Sequence, residues 1–240
     1  MTTAISWQQA FTRGGIALAA IGLVWLSAAK APPPASTAAP PLERDVRREA
    51  QDYLRVRKVQ KLPGSLADLL TKPERFLVKT QSHPLLGKTA PNFQMDDHQQ
   101  TPWRLSTHLE NGPVVLIFYF GYHCDHCVSQ LFAVNEDMEL FRELGAQVVA
   151  VSADAPSDTQ ARFKQYGAFN FPVLSDPGYK VAQAYGMLEP PKGKEVMTLL
   201  HGTFVIDRDG VVRWCQFGDE PFTGNRTLLY EVARIEGLLP

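Results

Sequence analysis

Two kinds of apolar pattern run along this chain of 240 residues. Continuous runs, VVLIFYF at 114–120 and QVVAVSA at 147–153, are rich in β-branched and aromatic residues. They predict strands buried on both faces. Spaced runs alternate with them. Leu42, Val46, Tyr53, Leu54 and Val59 fall on one face of a helix that Pro63-Gly64 stops, and SLADLL follows as a short helix. Val128, Leu131, Val134, Met138 and Phe141 predict one helix ending at Gly145. SDTQARFKQYG and DPGYKVAQAYG read as helices stopped by Gly167 and Gly186, with FPVL a short strand between them. TFVIDRDGVVRWCQF, 203–217, holds two strands joined around Asp209-Gly210, and LLYEVARI closes the chain as a helix. This order predicts an α/β fold with a central mixed sheet covered by helices on both sides.

The N-terminal pattern is of another kind. MTTAISWQQAFTR carries one positive charge and no acid, and GGIALAAIGLVWLSAA follows as 16 residues without a charge. A basic lead and such an apolar run form an export signal, either cleaved near Ala29 or retained as an anchor with Trp7 and Trp25 at its ends. The expected organisation is therefore a signal peptide or membrane anchor at 1–29 and a Pro/Ala-rich linker at 30–41. A helical extension at 42–84 and the main domain at 85–240 follow. The main domain is expected outside the cytoplasm, in the periplasm or cell envelope.

Composition narrows the chemistry only slightly. A formal net charge of −1 with 20% charged residues gives no basic excess for nucleic acid. Three cysteines in an exported protein of this size do not make a disulfide scaffold. Two of them stand in GYHCDHCVSQL, where the first long buried strand meets its helix. Amide groups and the positive end of the helix dipole gather there and favour a thiolate. With two residues between them the sulfurs lie about one turn apart, close enough for a disulfide. Cys124 is expected as the exposed nucleophile and Cys127 as the buried partner. A protonated His126, or His123, would stabilise a thiolate, whereas Asp125 would oppose it. Metal binding is the alternative, through Cys124, Cys127 and a histidine, with His201 as the distal ligand. Haem attachment fails because Val128 stands where C-x-x-C-H requires histidine. Cys215, between Trp214 and Gln216, is either a small core residue or a third redox thiol.

Five segments carry a resemblance: GKTAPNFQMDD, PVVLIFYFGYHCDHC, LGAQVVAVSAD, FPVLSDP and GTFVIDRDGVVRW. From about Leu85 to Gly218 the chain resembles the AhpC/TSA and redoxin group of the thioredoxin superfamily, and its C-x-x-C branch in particular. The resemblance implies a thioredoxin-like fold. It sets Cys127 on the peroxidatic cysteine of the P-x-x-x-T-x-x-C motif, Cys124 on the threonine and Phe120 on the proline. His201 falls where peroxide-reducing members carry an arginine, in a position that faces the redox pair. There it would stabilise a thiolate or relay protons. YFGYHC is also similar to Sco-type copper chaperones, which use a longer C-x-x-x-C.

The expectation is an exported thiol redox enzyme exchanging disulfides through Cys124 and Cys127, with His201 and His126 assisting and no cofactor. Its partners would be protein or small-molecule thiols and disulfides, with the N-terminal segment meeting the membrane and no nucleic acid involved. Reduction of hydroperoxides and copper handling are the two alternatives.

Overall fold

The structure, a computed structural model, describes residues 44–71, 77–124, 126–189 and 198–239. The signal or anchor and the linker expected over 1–41 lie outside these residues. Among the described residues no helix is long and apolar enough to cross a membrane.

Five strands form the central sheet: β3 (Val114–Phe118), β4 (Gln147–Ser152), β5 (Val173–Ser175), β8 (His201–Ile206) and β9 (Val212–Gly218). Their spatial order is β5-β4-β3-β8-β9. β3 pairs in parallel with β4 and β4 with β5, while β3–β8 and β8–β9 are antiparallel. The apolar run of β3 is divided by the pleat between two cores, as side chains alternate along a strand. Val115 and Ile117 face one core, and Val114, Leu116 and Phe118 face the other. Burying side chains of this size is worth roughly 1.5–3 kcal/mol each, so the run fixes the centre of the sheet.

Against the first core pack α1 (Val46–Val56), α2 (Leu66–Leu70), α4 (Ser129–Glu136), α5 (Met138–Glu143), α6 (Pro156–Tyr166) and α8 (Asn225–Ile235). The other face is covered by α3 (Leu105–Leu109), α7 (Lys180–Ala184) and the hairpin of β1 (Gln94–Asp96) with β2 (Pro102–Arg104). A two-residue pair, β6 (Leu188–Glu189) with β7 (Thr198–Leu199), completes the secondary structure of the described residues. The mixed sheet flanked by helices is the arrangement expected from the apolar pattern. The β1–β2 hairpin, α3 and the β6–β7 pair carry no such pattern and were not anticipated by it.

Three helices depart from expectation. α7 covers only Lys180–Ala184 of the expected 176–186, with the Asp176 carboxylate accepting from the Lys180, Val181 and Ala182 amides at its start. α1 ends at Val56, well before Pro63-Gly64, because Lys58 adopts the left-handed region at φ 57°. It starts at Asp45, whose carboxylate accepts from the Arg48 amide at 3.0 Å. Val46, Ala50 and Leu54 form its buried stripe, whereas Val56 is exposed. The single helix expected over Val128 to Phe141 is broken at Asp137. This carboxylate is buried and accepts from the Leu62 amide at 2.9 Å and from Asn225 Nδ2 at 2.8 Å. Asp137 satisfies two donors from outside the helix, as a buried polar group requires.

Residues 78–87 run beside β9. The Gln81 amide donates to the Cys215 carbonyl at 2.9 Å and the Cys215 amide to Thr80 Oγ1 at 2.9 Å. The Phe217 amide donates to Gln81 Oε1 at 2.7 Å, and that of Gly87 to the Val212 carbonyl at 2.8 Å. The extension at 42–84 thus shares the core of the main domain and also hydrogen-bonds to the outer side of its last strand.

Candidate active site

β3 delivers the chain to a tight bend at Gly121. There φ is +107°, and a Cβ would stand 2.5 Å from Asp154 Oδ1, so glycine is required both for conformation and for space. The Asp154 carboxylate, at the end of β4, accepts from the Tyr122 amide at 3.1 Å and from the Ser152 hydroxyl at 3.1 Å. Burial raises its pKa to about 6 against the pull of these hydrogen bonds. On the opposite side Arg44, just ahead of α1, donates to the carbonyls of His123 at 2.6 Å and Tyr122 at 3.4 Å. The loop that carries the cysteines is therefore held from both flanks.

Cys124 and Cys127 form a disulfide, with Cα atoms 5.4 Å apart. Cys127 is fully buried and Cys124 partly exposed. The pair lies in the turn that leads into α4 rather than in its first turn. Val128 is the N-cap, and the Ser129 amide donates back to the His126 carbonyl at 3.0 Å. Cys127, next to the N-cap, is therefore the nearer of the two in sequence to the positive end of the α4 dipole.

Four aromatic rings form a chain of contacts that meets the disulfide at His126. His126 Nδ1 is 3.8 Å from Cys124 Sγ, and its ring stacks on Tyr53 of α1 with centroids 5.3 Å apart. His201, the first residue of β8, is buried, with its ring 6.1 Å from that of His126 and 4.6 Å from that of Phe120. Its Nδ1 donates to the Asp219 carbonyl at 3.0 Å. Burial depresses its pKa to about 4, and the nearby His126 adds to the effect. His201 is thus neutral near pH 7, with an Nε2 lone pair that has no partner among the described residues. Beside the disulfide, therefore, His201 carries no fixed positive charge. Behind Cys127 the buried Gln130 of α4 donates to Thr203 Oγ1 of β8 at 2.8 Å, tying the helix to the strand.

Cys124, His126 and Cys127 bring two sulfurs and an imidazole nitrogen within 4.8 Å of one another. A soft metal would find this donor set once the pair is reduced. The histidine in that group is His126 and not His201, the distal ligand anticipated. Cys215 lies on the other face of the sheet, opposite Phe204 in the β8–β9 register. Its Sγ contacts the Gln81 carbonyl at 3.5 Å, and burial raises its pKa. It is a core residue of the far side, not a third member of the pair.

The family model described as AhpC/TSA family matches residues 86–215, slightly more than half of the chain. The chain belongs to the AhpC/TSA family. A candidate peroxiredoxin of Mycobacterium tuberculosis is 37% identical over 123 residues, which cover 51% of this chain and 79% of the relative. Chloroplastic peroxiredoxin Q of Sedum lineare is 33% identical over 129 residues, covering 53% of this chain and 66% of that protein. Among solved structures, peroxidoxin BcpB from Mycobacterium tuberculosis superimposes with a TM-score of 0.55 at 30% identity. That match covers 66% of this chain and 100% of BcpB. As an AhpC/TSA protein the chain is an oxidoreductase with a thioredoxin-like domain. α1 and α2 fall before the matched residues, so Arg44 and Tyr53 reach the cysteine loop from outside the family's shared region.

Proposed function

We propose that this AhpC/TSA protein exchanges disulfides through Cys124 and Cys127. The observation that carries the reading is the unequal burial of the two bonded sulfurs, Cys124 partly exposed and Cys127 fully enclosed. In the reduced enzyme the Cys124 thiolate attacks one sulfur of a substrate disulfide and the other leaves as a thiolate. Cys127 then attacks Cys124 Sγ, closing the internal disulfide and releasing the second substrate thiol. Two electrons pass from the pair to the substrate, and a second dithiol restores the enzyme. Protein or small-molecule disulfides are the substrates of this reading. In this reading His126, beside Cys124, and the buried His201 assist the exchange.

The names of the relatives favour hydroperoxides as a second substrate class. There a cysteine thiolate attacks the O–O bond, leaving a sulfenic acid and water or an alcohol, and the other cysteine condenses with it to give the disulfide and water. No threonine hydroxyl or arginine stands in the expected positions, which Cys124 and His201 occupy. The copper reading would draw on the reduced Cys124, His126 and Cys127.

Cys127→Ser tests the first reading. With the second sulfur gone, a protein disulfide should trap a mixed disulfide on Cys124, seen as a reducible band on gels and absent from Cys124→Ser. Failure to trap, together with oxidation of wild-type thiols by stoichiometric hydrogen peroxide within seconds, would turn the assignment to peroxide. The proposed setting is extracytoplasmic, with residues 1–29 as the export or anchoring segment. Fusing 1–41 to a reporter active only after export tests it.

A further inference from the structure

We infer that Tyr53 of α1 is a positioning residue for the redox pair, holding the His126 imidazole against Cys124. The inference rests on the disulfide-exchange reading and adds to it an element from outside the family's matched region. Tyr53 and His126 stack with their planes 14° apart, and His126 Nδ1 stands 3.8 Å from Cys124 Sγ. His126 lies ahead of α4, partly exposed, where an imidazole side chain has several rotamers open to it.

Tyr53 is in turn held by its surroundings. The buried stripe of Val46, Ala50 and Leu54 fixes α1 on the core. The Tyr53 hydroxyl donates to Glu220, just beyond β9. The Arg57 guanidinium lies 3.7 Å from the Tyr53 ring centroid and pairs with Glu220 at 2.9 Å. The ring is therefore braced between α1 and the loop after β9, and His126 takes its orientation from that brace.

The consequence falls on the reduced state. Reducing the pair consumes two electrons and two protons, one carried by Cys127 and the other held between Cys124 and His126, so that the freed Cys124 sulfur as a thiolate accepts a hydrogen bond from His126 Nδ1–H. A charge-assisted bond of this kind is present only after reduction, so it favours the dithiol over the disulfide. Releasing His126 from its stack should shift the couple toward the disulfide.

The test is the equilibrium of the full chain with reduced and oxidised glutathione, read by alkylation and mass spectrometry. Tyr53→Ala should shift the equilibrium constant about three- to tenfold toward the Cys124–Cys127 disulfide, a potential lower by about 15–30 mV. Tyr53→Leu, which keeps apolar bulk on α1 without the ring, should give the same shift and guards against a folding defect in the alanine variant. Tyr53→Phe keeps the stack and loses only the Glu220 bond, so it should stay within twofold of wild type. His126→Ala should match Tyr53→Ala, and the double variant should go no further. The inference is overturned if Tyr53→Ala and Tyr53→Leu leave the constant unchanged, if they still shift it when His126 is already alanine, or if His126→Ala itself has no effect. Wild-type thiols that hydrogen peroxide oxidises within seconds, in a protein that traps no disulfide substrate but whose equilibrium still follows Tyr53 as above, would instead defeat the exchange reading and leave the role of Tyr53 intact.

Discussion

The two sides of the β8–β9 ladder hold cysteines in opposite circumstances. On the α4 side, Cys124 and Cys127 sit among His126, His201, Gln130 and Thr203, where buried polar atoms such as His201 Nε2 are left without partners among the described residues. On the other side Cys215 is enclosed in the second core, paired with Phe204, with a backbone carbonyl and the Thr80 hydroxyl as its polar contacts. A sulfur is made reactive by access and by neighbours that tolerate charge, and the first side supplies both. The second supplies neither. The immediate neighbours of Cys124 and Cys215 are alike, each preceded by an aromatic ring and followed by a polar residue, so it is the C-x-x-C spacing that sets the pair apart in the sequence.

Differential alkylation is the sharpest way to break that contrast. In the reduced, folded chain Cys124 should react with iodoacetamide on the order of 10³-fold faster than Cys215, which should be modified only on unfolding. Equal rates measured by mass spectrometry would remove the distinction.

A second expected effect lies in the pH dependence of stability, where the α4 side contains two opposing titrations. The Asp154 carboxyl is raised from 3.8 to about 6 in the fold, so its contribution to stability is present at low pH and is lost as pH rises through that interval. The His201 imidazole is lowered from 6.5 to about 4, so the fold gains stability as pH rises between those values. Each amounts to at most about 3 kcal/mol, and in the wild type they largely cancel. Asp154→Asn should unmask a rise of stability from pH 4 to 6.5 relative to wild type, and His201→Phe a fall. Denaturant titrations across that range read both slopes, and parallel curves for all three proteins would refute the assignment.

The smallest expected effects are on stability itself. Closing a four-residue loop, Cys124 to Cys127 inclusive, constrains the unfolded chain little, so reduction should lower stability by about 2 kcal/mol. Cys215→Ala should cost about 1 kcal/mol through the small cavity it leaves. A larger loss for Cys215→Ala than for reduction, in matched denaturant melts, would show that the far side depends more on its sulfur than packing implies.

The parts legible in the sequence were those written in local pattern. β3 and β4 are continuous apolar runs, and the stops at Gly167 and Gly186 coincide with positive φ angles of 90° and 67°. The C-x-x-C pair and the greater burial of its second member were legible too. What escaped is carried by distant partners. Tyr53 meets His126 across 73 positions of sequence, and Asp137 meets Asn225 across 88. In the sequence Asp137 is one more polar residue on an amphipathic helix, and only its donors from the Leu62 amide and Asn225 make it a break. His201 was singled out by its place in the family pattern, but its neutrality follows from burial, which the Asp219 carbonyl only partly opposes, and its flanking residues announce neither.

The run from Thr80 to Gly87 beside β9 bears on how far the family's shared region can stand alone. β9 is the last strand of the sheet, and a bare final strand is a template for pairing with another chain. The amide and side chain of Gln81, the hydroxyl of Thr80 and the amide of Gly87 occupy groups along that border. A polypeptide begun at Leu85 would keep the cysteines and the sheet but leave most of that border open. The extension is thus a hem on the sheet, and solubility belongs to it as much as the setting of the redox loop does.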